Sequence, residues 1–312
     1  MFLHEGPVRL DNGIVGSPCE LEPSNPVDFH QAVCAPAQAE RARIHAQVFR
    51  PAGAARAVVV VVPGSVGVAP SHVDKARRLT DAGIAALLVD PFGARGVSST
   101  VANQAQYSFA ASATDVAAAV AWLRAQDEFA SLAIGTQGHS RGGAAVLSAL
   151  TLAELQGAPL GVAGVYAAYP WCGQQFLNPR PGTARIRAIV GDRDDWCLPQ
   201  QVQGALQAFR LAGGDASWRI VAGAHHGFDR AGPVEHVPEA SVAPGAPTVY
   251  IRDDGVCLHP ATGEAGESER ALMRYGIDAG YGVRGAHLGS EGDLADVFHE
   301  DMMRFWQETF GA

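Results

Sequence analysis

The sequence predicts an α/β protein, with a mostly parallel central sheet and helices on both faces. Three observations carry this expectation. Short apolar runs such as Val58 to Val62 alternate with longer helix-like runs such as Ser108 to Gln126, and strands that alternate with helices run parallel and are covered on both sides. The strand-like runs end in turn residues, as at Pro63-Gly64 and Gly191-Asp192. With 312 residues, 47% of them hydrophobic, the chain can also bury the large core that such layers need.

Residues 1–40 are rich in Pro, Gly and Asn and lack periodicity. They are expected to form an N-terminal arm, with one short strand from Val8 to Leu10, wrapped over a single domain that spans 41–312. That domain opens with strands from Ile44 to Phe49 and from Val58 to Val62, then a helix from His72 to Ala82. Ser71 followed by Asp74 resembles a capping box, and Gly83 supplies the stop. A strand from Ala85 to Val89, a long helix from Ser108 to Gln126, a strand from Leu132 to Ile134 and a helix from Ala144 to Leu155 come next. Strands from Val162 to Ala168 and from Ile186 to Val190 precede a helix from Pro199 to Ala212, which has proline in its first turn. A strand from Trp218 to Val221 and a last helix from Asp293 to Phe310 complete the alternation. Between them, residues 229–292 form a connection far longer than the fold needs, broken by Pro244, Gly245, Pro247, Gly263 and Gly266, with one short strand from Thr248 to Arg252. This irregular insertion either pads the surface or serves as a flap or homodimer arm at the entrance of a site.

Gly138-His139-Ser140-Arg141-Gly142 lies between a strand and a helix, the context of a nucleophile elbow. Glycines two residues either side of Ser140 permit a turn too sharp for any Cβ, and the following helix points free N–H groups at the same place. The strand ending at Val190 leads into Asp192, Asp194 and Asp195, of which Asp194 or Asp195 is the candidate orienting acid. The strand ending at Val221 leads into His225-His226, and His226 is the candidate base. A serine hydroxyl needs such a base to take its proton during attack, and the carboxylate fixes the imidazole tautomer. The oxyanion that results calls for two N–H donors, assigned to the backbone of Arg141 and of Ser65 in the loop after Val62.

A net charge of −9 and the lack of any basic run argue against nucleic acid as a partner. The first twenty residues hold no basic stretch followed by an apolar one, and Val58 to Val62 is too short to span a bilayer. The expectation is a cytoplasmic protein with no membrane contact. Five cysteines are expected as free thiols, with a Cys172–Cys197 bridge as the alternative. Eleven histidines show no metal-ligand spacing, so no metal and no other cofactor is expected.

The chain order Ser140, Asp194, His226 is that of the α/β-hydrolase triad. Together with Pro63-Gly64-Ser65-Val66-Gly67, Asp90-Pro91-Phe92-Gly93-Ala94-Arg95-Gly96 and Ala224-His225-His226-Gly227-Phe228-Asp229-Arg230, the elbow resembles the dienelactone hydrolase family. The resemblance runs from about Arg41 to Arg230 and takes in the last helix. It implies an α/β-hydrolase fold with no large cap domain and cofactor-free cleavage of small-molecule esters or lactones. Counted from Gly191 the family spacing selects Asp194 as the acid, and counted back from Pro199 it selects Asp195. Members that cleave dienelactones have a cysteine at Ser140 and a glutamate at Gly64, so the resemblance favours a serine esterase. It also implies that Arg230 binds a substrate carboxylate; Arg95 is a candidate second cation, with a salt bridge that holds the loop after the strand at Asp90 as the alternative. Trp171, Phe176, Trp196 and Phe228 are placed to line an apolar pocket. Acyl transfer on the same triad and non-catalytic ligand binding are the alternative functions.

Overall fold

The fold is described from a computed structural model, for residues 1–230 and 232–311. The chain begins with β1 (Ser17–Leu21), β2 (Ser24–Asn25), α1 (Phe29–Cys34), β3 (Glu40–Arg41), β4 (Ile44–Phe49) and β5 (Ala57–Val62). It continues through α2 (Pro70–Asp81), β6 (Ile84–Asp90), α3 (Phe109–Arg124), β7 (Ala133–His139), α4 (Arg141–Leu155), β8 (Gly164–Ala168) and β9 (Gln174–Phe176). Next come β10 (Arg185–Gly191), α5 (Pro199–Leu211), β11 (Asp215–Val221), β12 (Glu235–Val242), β13 (Val249–Ile251) and β14 (Cys257–Leu258). β15 (Ala265–Glu267), α6 (Glu269–Asp278), β16 (Val283–Leu288) and α7 (Leu294–Phe310) close the chain.

Eight strands make the central sheet, in the order β1-β4-β6-β5-β7-β8-β10-β11. The six strands from β6 onward in that order are parallel, and β4 and β1 add an antiparallel edge. β5 reads Ala-Val-Val-Val-Val-Val and is buried at every position, as expected for a strand covered on both faces. β6 and β7 flank β5 on opposite sides, so the sheet reverses its winding there and leaves a crevice at the carboxyl ends of β5 and β7. α7 docks through Trp306, whose ring would lie 2.4 Å from a Cβ on Gly135 and whose Nε1 donates to Gln137 Oε1 at 2.8 Å. Among the described residues no helix is long and apolar enough to cross a membrane.

The structure corrects three expectations. The predicted arm is partly sheet: β1 pairs with β4 along its whole length, while Val8 to Leu10 makes only an isolated bridge from Arg9 to Val15. β1 is mostly solvent-facing and contains Pro18, which an edge strand tolerates, so no apolar alternation announced it. The helix predicted from His72 begins at Pro70, and the side chain that accepts from its N-cap, Ala69, is His72 rather than a Ser71–Asp74 pair. The predicted irregular insertion is ordered. β12 and β16 form an antiparallel pair, and β13, β14 and β15 build a second small sheet on β9, parallel at the β13–β9 seam.

Candidate active site

Ser140 stands between the end of β7 and the start of α4 with φ 55° and ψ −115°, a backbone conformation that L-residues rarely adopt. Its neighbours must be glycine. A Cβ on Gly138 would lie 1.9 Å from Gly142 O, and one on Gly142 would lie 2.5 Å from the carbonyl oxygens of Val62 and Pro63. The register Val62 to Gly138 sets the loop after β5 beside this turn, close enough that a Cβ on Gly64 would lie 3.0 Å from Ser140 Cβ. Ser65 is anchored through its carbonyl, which accepts from Thr100 N at 2.8 Å and Ser99 Oγ at 3.1 Å. Among the described residues the backbone N–H groups of Ser65 and Arg141 donate to no backbone carbonyl.

The loops after β10 and β11 bring the other two groups. His226 Nε2 lies 3.0 Å from Ser140 Oγ, and its Nδ1 lies 2.8 Å from Asp194 Oδ2. Asp194 Oδ1 accepts from the backbone N–H groups of Trp196 at 2.9 Å and Cys197 at 2.8 Å, so both of its oxygens are held. Asp195 turns the other way and accepts from His287 on β16, at 2.9 Å from N and 2.7 Å from Nδ1. The His226 ring is sandwiched between Trp196, stacked at 5.2 Å, and Tyr169, edge-on at 4.7 Å. β16 and the residue after it fix this arrangement from outside: Trp196 Nε1 donates to His287 O at 2.8 Å, and Gly289 N to His226 O at 3.0 Å.

Beneath the histidine lies a wholly buried ion pair. Lys75 on α2 bonds Asp229, whose other oxygen accepts from Tyr169 Oη at 2.7 Å. Burial pushes the Asp229 carboxyl up, but the Lys75 charge and the hydrogen bonds of Lys75 and Tyr169 overcome it and hold the group well below the ordinary carboxylate range. Burial, together with the Lys75 charge, pushes His139 down to about 3, which leaves it neutral at pH 7. The pair ties the loop that carries His226 to α2.

Beside Ser140 opens a cavity of about 460 Å³, lined by Ser140, Phe109, Trp171, Trp196, Met273 and Ile277 among others. Nearly half of its lining comes from 229–292. Asp194, Cys197 and His226 present oxygen, sulfur and nitrogen atoms within 4.8 Å of one another, as a metal site would. The carboxylate and imidazole already serve each other and Ser140, however, and burial followed by the Asp194 charge raises the Cys197 thiol well above its ordinary range. The set fits a metal ion poorly.

The profile of the dienelactone hydrolase family matches residues 44–244, which hold Ser140, Asp194 and His226. The chain belongs to the dienelactone hydrolase family. No curated protein matches it. Among solved structures it is similar in fold to brefeldin A esterase, a bacterial homologue of human hormone sensitive lipase, at TM-score 0.50 and 18% identity over 69% of this chain and 70% of that one. A Klebsiella pneumoniae protein assigned as a dienelactone hydrolase gives TM-score 0.49 at 19% identity, over 68% of this chain and 89% of that one. Esterase 2 of Thermogutta terrifontis gives 0.47 at 16% identity, over 59% and 79%.

The remaining site residues expected in this dienelactone hydrolase family member divide. Trp171 and Trp196 line the cavity. Arg230 lines a small recess beside Ser140, Ser65 and His226, and its buried Nε has no partner among the described residues. Arg95 does not reach the site: it grips buried Asp115 with both Nη atoms, at 2.8 and 2.7 Å, and donates to Asn25 and Pro91. A buried carboxylate on α3 outcompeted any ligand for it. Phe228 is fully buried against Phe298 at 5.6 Å and belongs to the core, as does Phe176 against Phe29 at 5.1 Å, although Phe176 also borders a minor pocket. All five cysteines are free thiols, and Cys197 Sγ lies 3.9 Å from Ser140 Oγ. Sequence reasoning missed Tyr169, His287 and the wall formed by α6. The α6 wall had a signal, because Glu269, Leu272, Met273, Gly276 and Ile277 recur at helical spacing.

Proposed function

We propose that the protein is a serine carboxylic ester hydrolase that cleaves small esters or lactones through an acyl-enzyme. The observation that carries this reading is the hydrogen-bonded line from Ser140 Oγ through His226 to Asp194, at 3.0 and 2.8 Å. Ser140 Oγ attacks the ester carbonyl carbon while His226 Nε2 takes its proton, and Asp194 holds Nδ1–H in place and stabilises the imidazolium. The carbonyl oxygen, now negative, is received by the N–H groups of Ser65 and Arg141, each such donor being worth about a hundred- to a thousandfold in rate. Collapse breaks the bond to the alcohol, which leaves with the proton from His226. Water then attacks the acyl-enzyme with His226 again as base, releasing the acid and restoring Ser140. Cys197, with its raised thiol pKa, stays protonated at neutral pH, so the hydroxyl is the activated nucleophile.

The cavity accepts an apolar group of moderate size, since pockets of a few hundred cubic ångströms suit small molecules. Arg230 adds a cation beside the nucleophile for a substrate carboxylate. Fluorophosphonate should label the wild type at Ser140, and Ser140→Ala should lower kcat by about 10⁴ to 10⁶-fold in folded protein. Hydrolysis at the wild-type rate by purified Ser140→Ala protein would overturn the proposal.

A further inference from the structure

Glu269 opens α6 and sits 5% exposed on the wall of the Ser140 cavity, on the helix face shared with Leu272, Met273, Gly276 and Ile277. Its Oε1 accepts from Phe109 N at 2.8 Å, at the first turn of α3. Its Oε2 is buried and has no partner among the described residues. Buried polar atoms are almost always hydrogen-bonded, and because Glu269 borders the cavity, a small shift of its carboxyl would bring this unpartnered oxygen to a ligand that completes it. Tethering α6 to α3 does not explain a carboxyl group, because Oε1 alone makes that bond and an amide oxygen would accept it equally well.

The surroundings favour one partner chemistry. The wall is otherwise largely apolar and aromatic, with Phe109 stacked on Trp171 at 4.4 Å. Arg141, which lines the same cavity, holds its guanidinium 3.9 Å over the Phe109 ring, so a cationic substrate group would face a like charge. We infer that Glu269 is a substrate-selecting residue, whose free carboxyl oxygen hydrogen-bonds a hydroxyl group on the apolar chain held in the cavity. Burial first, then Asp28, raises its carboxyl, while the Phe109 N–H and Arg141 lower it, for a net rise to about 7. Near neutrality both forms are thus present, and a hydroxyl can accept from one and donate to the other. Glu269 lies outside residues 44–244, so this selectivity belongs to the segment beyond the family match.

The inference takes the Ser140 cavity as the substrate site and so rests on the ester-hydrolase reading, but its test is one of binding. Ser140→Ala protein would be titrated with ω-hydroxyalkanoate p-nitrophenyl esters of graded length, each matched to the ester in which a methyl replaces the hydroxyl. At one length the hydroxyl ester should bind about tenfold or more tightly, as expected of a site with a buried partner for it. Adding Glu269→Leu should bring that ratio to about one, and adding Glu269→Gln should retain part of it. No preference at any length, or one that survives Glu269→Leu, would overturn the inference. If Glu269→Leu does not fold, the isosteric Glu269→Gln decides: a preference reduced below that of the parent protein supports a role for the carboxyl, and an undiminished one overturns it. Failure of wild type to turn over these esters while the preference persists would overturn the ester-hydrolase reading alone.

Discussion

Ser140 adopts its positive φ because Gly138 and Gly142 let the two ends of the elbow approach each other closer than any side chain permits. The strain is local and lifts the hydroxyl clear of the sheet to meet His226. The two neighbouring aspartates offer a sharp contrast at this scale, since Asp194 holds His226 and Asp195 holds His287. Asp194→Asn should lower kcat by about 10⁴-fold by enforcing the wrong tautomer, while Asp195→Asn, which weakens a half-exposed pair, should cost less than about tenfold. Steady-state kinetics on one ester checks both, and the reverse ranking would move the acid. Arg230→Met should raise KM about ten- to a hundredfold for hemi-esters of dicarboxylic acids and little for neutral esters of matched size, the worth of a charge-assisted bond out of water. Equal changes on both classes would make Arg230 a structural residue. Ser140, His226 and the aspartate pair were legible because each follows a strand-like run that ends in turn residues. For Arg95 and Phe228 a site role and a structural role both stayed open, because they are decided by Asp115 and Phe298, partners that only the tertiary fold brings near.

Among the elements, the central strands announce themselves because both of their faces are buried, as β5 shows at all six positions. β12 does not, because six of its eight residues are exposed or half-buried in no strict alternation and Pro238 interrupts it. The segment therefore read as irregular, although its strands are paired and its helix α6 walls the cavity. Met273 and Ile277 sit one turn apart on that wall and set how far a chain can extend. Met273→Trp should cut kcat/KM for long acyl esters at least about tenfold relative to short ones, by filling space the longer chain needs. A chain-length series of p-nitrophenyl esters measures it, and an unchanged profile would assign α6 to padding.

For the whole molecule, buried ionisable groups couple the cavity to stability. Glu269 has its folded pKa raised from 4.5 to about 7, so the protonated form is favoured on folding. Its contribution is full below about pH 4.5 and is lost as pH rises through about 7, a change of roughly 3 kcal/mol at that shift. Glu269→Gln should flatten that part of the stability curve, measured by urea unfolding from acid to neutral pH. A slope unchanged in the variant would assign it to other groups. Asp229 works in the opposite sense: its folded pKa is depressed, so its contribution is present above the ordinary carboxylate pKa and fades on acidification. β16 carries a further consequence. It holds the Asp195 side chain and the Trp196 ring through His287, and Gly289 just after it holds the carbonyl of His226, yet it follows Ser140, Asp194 and His226 in the chain by more than fifty residues. On the proposed mechanism, a chain cut before β16 would carry all three groups without the contacts that hold two of their loops, so its activity should fall even where the central sheet still forms.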